Sequence, residues 1–129
     1  MSGFSIEWLD LREEADHRAR DTYLLKKTIS WLKTLQADKR TITDLGSGTG
    51  STIRAMLPTI QQRSLSVSWR LIDDDPLVLT EAMRRHGEEL TIEECVIDLS
   101  NISKLPLEGV SLITTSALLD LVSKNLFFE

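Results

Sequence analysis

Apolar positions along the chain follow two different periods. Between residues 21 and 37, Leu24, Leu25, Thr28, Ile29, Leu32 and Leu35 recur at helical spacing, with Lys26, Lys27 and Lys33 on other faces. That pattern predicts an amphipathic helix packed on a sheet. Short runs rich in β-branched residues predict four strands: 41–45, 66–72, 90–98 and 110–115. A helix is expected from Ser51 or Thr52, either of which can cap it, through Ile53, Ala55, Met56, Leu57 and Ile60. Pro58 should kink or shorten it, because proline removes a backbone donor, and 61–64 reads as connection. A further helix begins at Pro76, in the favoured first position, and runs through Leu77, Val78, Leu79, Ala82 and Met83 to stop near Gly87. Strands alternating with helices imply an α/β fold with a parallel sheet and right-handed crossovers.

The first 20 residues open with Phe4, Ile6, Trp8, Leu9 and Leu11 and then become highly charged from Arg12 to Asp21. They predict a short helix or lid-like segment with one apolar side, its charged run either a solvated helix end or a source of ligand-binding arginines. Trp31 is expected in core or rim packing rather than as a wall of a binding site.

Composition narrows the classes. The chain has 129 residues, 41% hydrophobic and 27% charged, with a net charge of −5, as in one ordinary soluble domain. No basic cluster stands out, so nucleic acid is not indicated as a partner. Neither a signal peptide nor a bilayer-length apolar run is evident, so no membrane partner and a cytoplasmic location are expected. The single cysteine, Cys95, reads as a reduced core thiol. His17 lies alone in the charged run, and His86 lies at a helix C-terminus, where a cation is favourable. They imply neither a metal site nor a catalytic pair.

Chemistry concentrates in Thr41-Ile42-Thr43-Asp44-Leu45-Gly46-Ser47-Gly48-Thr49-Gly50-Ser51-Thr52, which reads as strand, glycine-rich turn and helix start. Glycines here permit positive φ and close approach of a ligand to the backbone. No Gly-Lys-Ser/Thr follows, so the turn is not a P-loop. It also departs from the dinucleotide fingerprint, whose third glycine or alanine would fall at Ser51. Asp44 would repel a pyrophosphate but attract an ammonium or sulfonium group. Asp44-Leu45-Gly46-Ser47-Gly48-Thr49-Gly50 closely resembles motif I of class I S-adenosylmethionine-dependent methyltransferases. The resemblance implies a Rossmann-like sheet of order 3-2-1-4, S-adenosyl-L-methionine as cofactor and S-adenosyl-L-homocysteine as product. Asp44, Gly46, Ser47, Gly48 and Gly50 would form the first part of the cofactor site.

Leu71-Ile72-Asp73-Asp74-Asp75-Pro76 supplies a second part. It resembles the family pattern in which a strand-end acid binds the ribose diol and a proline starts the next helix. By that resemblance Asp73 takes the ribose and Asp74 flanks the adenine, while Asp75 is expected as a helix N-cap. Asp98-Leu99 resembles the element in which an acid bonds the adenine amino group beside an apolar residue; a turn cap by Asp98 and Ser100 is the alternative. The end of strand four, which in that family faces the transferred methyl group, is held here by Thr114, Thr115 and Ser116, and Thr115 and Ser116 complete the expected site. No base is evident; Asp120 reads either as one or as a structural contact. Arg12, Arg18 and Arg20 are candidates for the cofactor carboxylate.

The usual family core continues beyond strand four. The resemblance therefore covers the cofactor-binding portion, with 1–37 as an N-terminal helical cap and 38–129 as a core lacking the usual C-terminal strands. Strand four is expected to be an open edge beside Leu126, Phe127 and Phe128, inviting a homo-oligomer or strand exchange. The function implied is methyl transfer to an unidentified acceptor, with a small molecule favoured. The alternatives are a cofactor-binding module or fragment not catalytic alone and, disfavoured by Asp44 and Ser51, a nicotinamide-dependent oxidoreductase.

Overall fold

The computed structural model describes residues 5–19 and 22–115. Expectations placed on Phe4, Arg20, Ser116, Asp120, Leu126, Phe127 and Phe128 lie outside the described residues. Four parallel strands form one sheet: β1 (Thr41–Leu45), β2 (Ser68–Asp73), β3 (Thr91–Val96) and β4 (Leu112–Thr115), in the order β3-β2-β1-β4. This is the α/β order expected from the sequence. Around the sheet lie α1 (Ile6–Ala19), α2 (Thr22–Lys33), α3 (Ser51–Gln62) and α4 (Pro76–His86). The strand order reverses at β1, which pairs with β2 on one side and β4 on the other. Such a reversal opens a crevice at the carboxyl ends of the strands.

Register explains the core. Ile42 stands opposite Trp69 and Leu112, and Trp69 opposite Ile92, so alternation puts these side chains on one sheet face. Ile29 and Leu32 of α2, Ile53, Met56 and Ile60 of α3, and Leu79 and Ala82 of α4 close over that face. Helical spacing within each sequence segment produced these buried stripes. On the second face Thr43, Leu45 and Ile72 are also buried. Arg70, which pairs with Glu93 at 3.2 Å, donates to the carbonyls of Pro106 and Glu108 and so ties down the return from β3 to β4.

Several boundaries differ from expectation. α2 stops at Lys33, short of residue 37. The Arg40 guanidinium takes the carbonyls of Leu32, Lys33 and Leu35 at 3.0, 3.3 and 2.8 Å, and donors at a helix C-terminus satisfy carbonyls that have no intrahelical partner. Trp31 is 46% exposed, at the rim. Pro58, exposed on α3, does not end the helix, which continues to Gln62. What ends it is a left-handed turn at Ser64, φ 53°, with Leu65 N bonding Ile60 O at 3.1 Å and Ser64 N bonding Gln61 O at 3.0 Å. That pair of bonds is the Schellman arrangement. Neither Ser51 nor Thr52 caps α3; Gly50 occupies the N-cap with φ 100° and no side-chain bond. Cys95 lies half-buried on the outer strand β3 rather than in the core, and partial burial pushes its thiol pKa up. Among the described residues no helix is long and apolar enough to cross a membrane.

Serine in a left-handed conformation carries a steric cost of about 1–2 kcal/mol, partly offset by the greater unfolded-state entropy of glycine. Ser64→Gly is therefore expected to raise stability by about 0.5–1 kcal/mol in urea denaturation. A loss of stability would show that the Ser64 side chain makes a contact outweighing the strain.

Candidate functional site

The carboxyl ends of β1 and β2 are joined by a compact set of hydrogen bonds. Gly46 N and Ser47 N both donate to Ile72 O, at 2.8 and 3.1 Å. Gly48 N donates to Asp73 Oδ2 at 2.9 Å, and Asp75 N to Asp73 Oδ1 at 3.0 Å. The glycine-rich turn and the acid ending β2, separate in sequence, are thus bonded directly. Gly48 (φ 55°) and Gly50 (φ 100°) both lie in the left-handed region, which lets the turn present backbone N–H groups toward the strand ends.

Asp75 caps α4, its Oδ1 accepting from Leu77 N at 2.9 Å. Asp44 is buried at the β1–β4 seam, and its Oδ1 accepts from Thr114 Oγ1 at 2.8 Å. Register pairs Asp44 with Thr114 and Leu45 with Thr115, so Thr115 lies on the sheet face opposite Asp44. Asp74 is exposed at the bend after β2. Ile97 N donates to Asp73 O at 3.0 Å, bringing the chain after β3, with Asp98 and Leu99, to the same edge. Asp98 is exposed and accepts from Ser100 N at 2.9 Å, a bond that holds its pKa below the usual carboxylate value. That is the turn-cap arrangement.

One further atom bears on ligand fit. Ser47 Oγ is fully buried in the turn without a hydrogen-bond partner among the described residues. Buried polar groups are nearly always partnered, and an orphan beside a crevice fits a ligand that supplies the bond.

The charged segment α1 is a solvated helix end only in part: Arg12, Glu14 and Arg18 are exposed, whereas other charged residues seat the helix. Leu9 lies over the turn, its Cδ1 3.6 Å from where a Cβ on Gly48 would stand. Leu11 is 82% exposed, and the docking contacts are made by charged and polar residues. Asp10 accepts twice from Arg85, both bonds at 3.0 Å, and Arg85 holds its carboxyl pKa down. His17 Nε2 lies 3.1 Å from Ser51 O, the first residue of α3. Arg12 instead pairs with Asp16 and stacks over Trp8, and Arg18 pairs with Glu14. Neither arginine is joined to the turn by these contacts.

Arg54 of α3 is the residue sequence reasoning missed. Its Nε donates to Glu13 Oε2 at 2.8 Å and its Nη2 to Glu13 Oε1 at 2.5 Å. Nη2 also reaches Thr49 Oγ1, and Nη1 reaches Thr49 O, both at 2.8 Å. The remaining Nη1 proton points to His86 Nε2, 2.9 Å away. All five guanidinium donors are used. Arg54 lowers the Glu13 pKa. His86 is not the helix-end cation expected from the sequence: burial first, and then Arg54, lowers its pKa, and its Nε2 must be an acceptor.

No family model matches the chain, and no curated protein does. Solved structures do. The CMeT domain of the citrinin polyketide synthase superposes with a TM-score of 0.55 at 18% identity, over 75% of this chain and 27% of that one. The methyltransferase PaMTH1 of Podospora anserina, solved with SAH, gives 0.46 at 17% identity, over 91% of this chain and 60% of that one. The trans-methyltransferase CalH, also with SAH, gives 0.42 at 25% identity, over 68% and 28%. The chain thus spans between about a quarter and three-fifths of these proteins. The sheet order β3-β2-β1-β4 and the likeness to the citrinin domain together show that this chain has the class I methyltransferase fold.

Proposed function

We propose that this chain is the S-adenosyl-L-methionine-binding portion of a methyltransferase, with residues 1–37 as a helical cap and 38–129 as the core. The observation that carries the reading is the Gly48 N to Asp73 Oδ2 bond of 2.9 Å, which unites the motif I turn with the acid ending β2. In this reading Asp73 receives the ribose hydroxyls, and Asp74, Asp98 and Leu99 border the adenine. Asp44 supplies negative charge toward a sulfonium or ammonium, which in a poorly hydrated setting is attracted far more strongly than in water. Ser47 Oγ and the backbone of Gly46, Gly48 and Gly50 hold the remaining polar end.

When bound, the cofactor supplies an electrophilic methyl group, leaving S-adenosyl-L-homocysteine. The chain's own contribution is to orient and to exclude water, since positioning alone can supply several kcal/mol of barrier reduction. Thr115, which ends β4, and Ser116, the next residue in sequence, complete the cofactor site in this reading, and a small molecule is favoured as methyl acceptor.

Calorimetric titration of the full chain with S-adenosyl-L-homocysteine is expected to give micromolar binding, weakened about tenfold to a hundredfold by Asp73→Asn, since hydrogen bonds to a charged group contribute about 1.5–3 kcal/mol. NAD should not bind. Tight NAD binding, or an unaltered S-adenosyl-L-homocysteine affinity in a folded Asp73→Asn protein, would refute the assignment.

Two glycines separate strain from site damage. A Cβ on Gly109 (φ 75°) meets nothing within 4 Å, whereas one on Gly50 (φ 100°) would stand 3.2 Å from His86 Cδ2 and 3.4 Å from Arg54 Nη1. Gly109→Ala is expected to cost about 1–2 kcal/mol of stability and leave ligand affinity unchanged. Gly50→Ala should cost more and also weaken S-adenosyl-L-homocysteine. Equal effects of the two on stability and affinity would contradict this.

A further inference from the structure

Arg54 is the residue at which α1, the glycine-rich turn and the end of α4 meet on one side chain. From α3 it reaches Glu13 on α1, Thr49 in the glycine-rich turn and His86 at the end of α4. Because Arg54 has only donors, His86 Nε2 can meet it only with its lone pair, which requires the neutral ring protonated at Nδ1. A second proton, at Nε2, would set two donors and two positive charges face to face at 2.9 Å. We propose that Arg54 is a positioning residue that clasps α1 over the glycine turn, and that the clasp closes only while His86 is neutral, so proton uptake at His86 releases α1.

The charged groups around His86 support a closed neutral state. Arg54 faces it from α3 and Arg85 adjoins it on α4; both disfavour its protonation. Glu13 from α1 and Glu89 beyond α4 oppose them more weakly, and burial adds to the lowering. The Glu13 fork from α1 holds Arg54 against the ring; once α1 lifts, that hold and part of the burial are gone, and the ring takes a proton more readily. The open state then binds more protons than the closed one, so closure strengthens as pH rises. It is complete above about pH 7 and declines as pH falls below the ordinary histidine value, by up to about tenfold per pH unit for one proton. His17 stands elsewhere on α1, its Nε2 3.1 Å from the Ser51 carbonyl, toward which a ring N–H donates, and 3.7 Å from Glu13 Oε2.

The effect on ligand affinity rests on the proposed cofactor site; the clasp itself does not. Hydrogen exchange on the full chain without ligand tests the clasp. After correction for intrinsic rates, protection of the 6–19 amides in the wild type should fall several-fold to tenfold between pH 6.5 and 5.5. Protection of β1 and β2 should stay constant. His86→Gln keeps an acceptor without the titration, so the α1 response should be flat; His17→Gln should retain it. Arg54→Lys cannot reproduce the two-sided fork and should lose α1 protection at every pH. A flat wild-type profile, an equal slope in His86→Gln, or full α1 protection in a folded Arg54→Lys protein would each overturn the proposal. Should Arg54→Lys fail to fold, the histidine pair decides alone. A parallel titration with S-adenosyl-L-homocysteine at pH 7.5 and 5.5 should show weaker binding at the lower value, in step with α1 release. Absence of ligand binding at both values, alongside the expected exchange, would support the clasp and refute the cofactor reading.

Discussion

One carboxylate organises the working edge of this protein. Asp73 ends β2 with its side chain accepting from Gly48 N and Asp75 N, while its main-chain carbonyl accepts from Ile97 N. The turn after β1, the entry to α4 and the exit from β3 are therefore positioned by a single residue. Removing its carboxylate would orphan two backbone N–H groups, each costing about 1–3 kcal/mol if left unsatisfied in a buried setting. Any reading of Asp73 as a ligand residue must include this structural role. The same carboxylate that would receive hydroxyls also shapes the turn that would hold the rest of the molecule.

The site has two kinds of wall. The sheet side is built from a dense apolar core, with Ile42, Leu71 and Leu79 fully buried, and is correspondingly rigid. The opposite side is α1, seated through Asp10, Glu13 and His17 on Arg85, Arg54 and the Ser51 carbonyl. Leu9 approaches the turn with an apolar group. Coupling between the two walls runs through Arg54, whose bonds to Thr49 fix the turn while its fork to Glu13 fixes the helix.

Much of the fold was legible in the chain. β-branched runs marked the four strands, helical spacing marked α2 and α3, and Pro76 after an acid marked the start of α4 with its Asp75 cap. Asp73 could be found because an acid at a strand end, beyond a glycine turn, has a structural meaning that sequence alone conveys. Arg54 could not. Its partners Glu13 and His86 lie 41 and 32 residues away, and one arginine within a helical pattern reads as a surface charge. The short helix expected in the first 20 residues is α1, but hydrophobic periodicity has no means of showing that it docks by its polar side. The left-handed Ser64 that closes α3 was hidden because serine carries no signal for that conformation.

Seating a helix by charge changes how it responds to its surroundings. The Glu13–Arg54 and Asp10–Arg85 pairs meet at contact distances of 2.8 and 3.0 Å, well inside the Debye length of about 8 Å at physiological ionic strength. Once seated, they are little screened. A lifted α1 must find its partners across a longer gap, where dissolved ions mask the attraction. For an α1 that lifts as proposed, salt is therefore expected to slow its return more than it hastens its departure, so that ionic strength would set how long the turn stays uncovered.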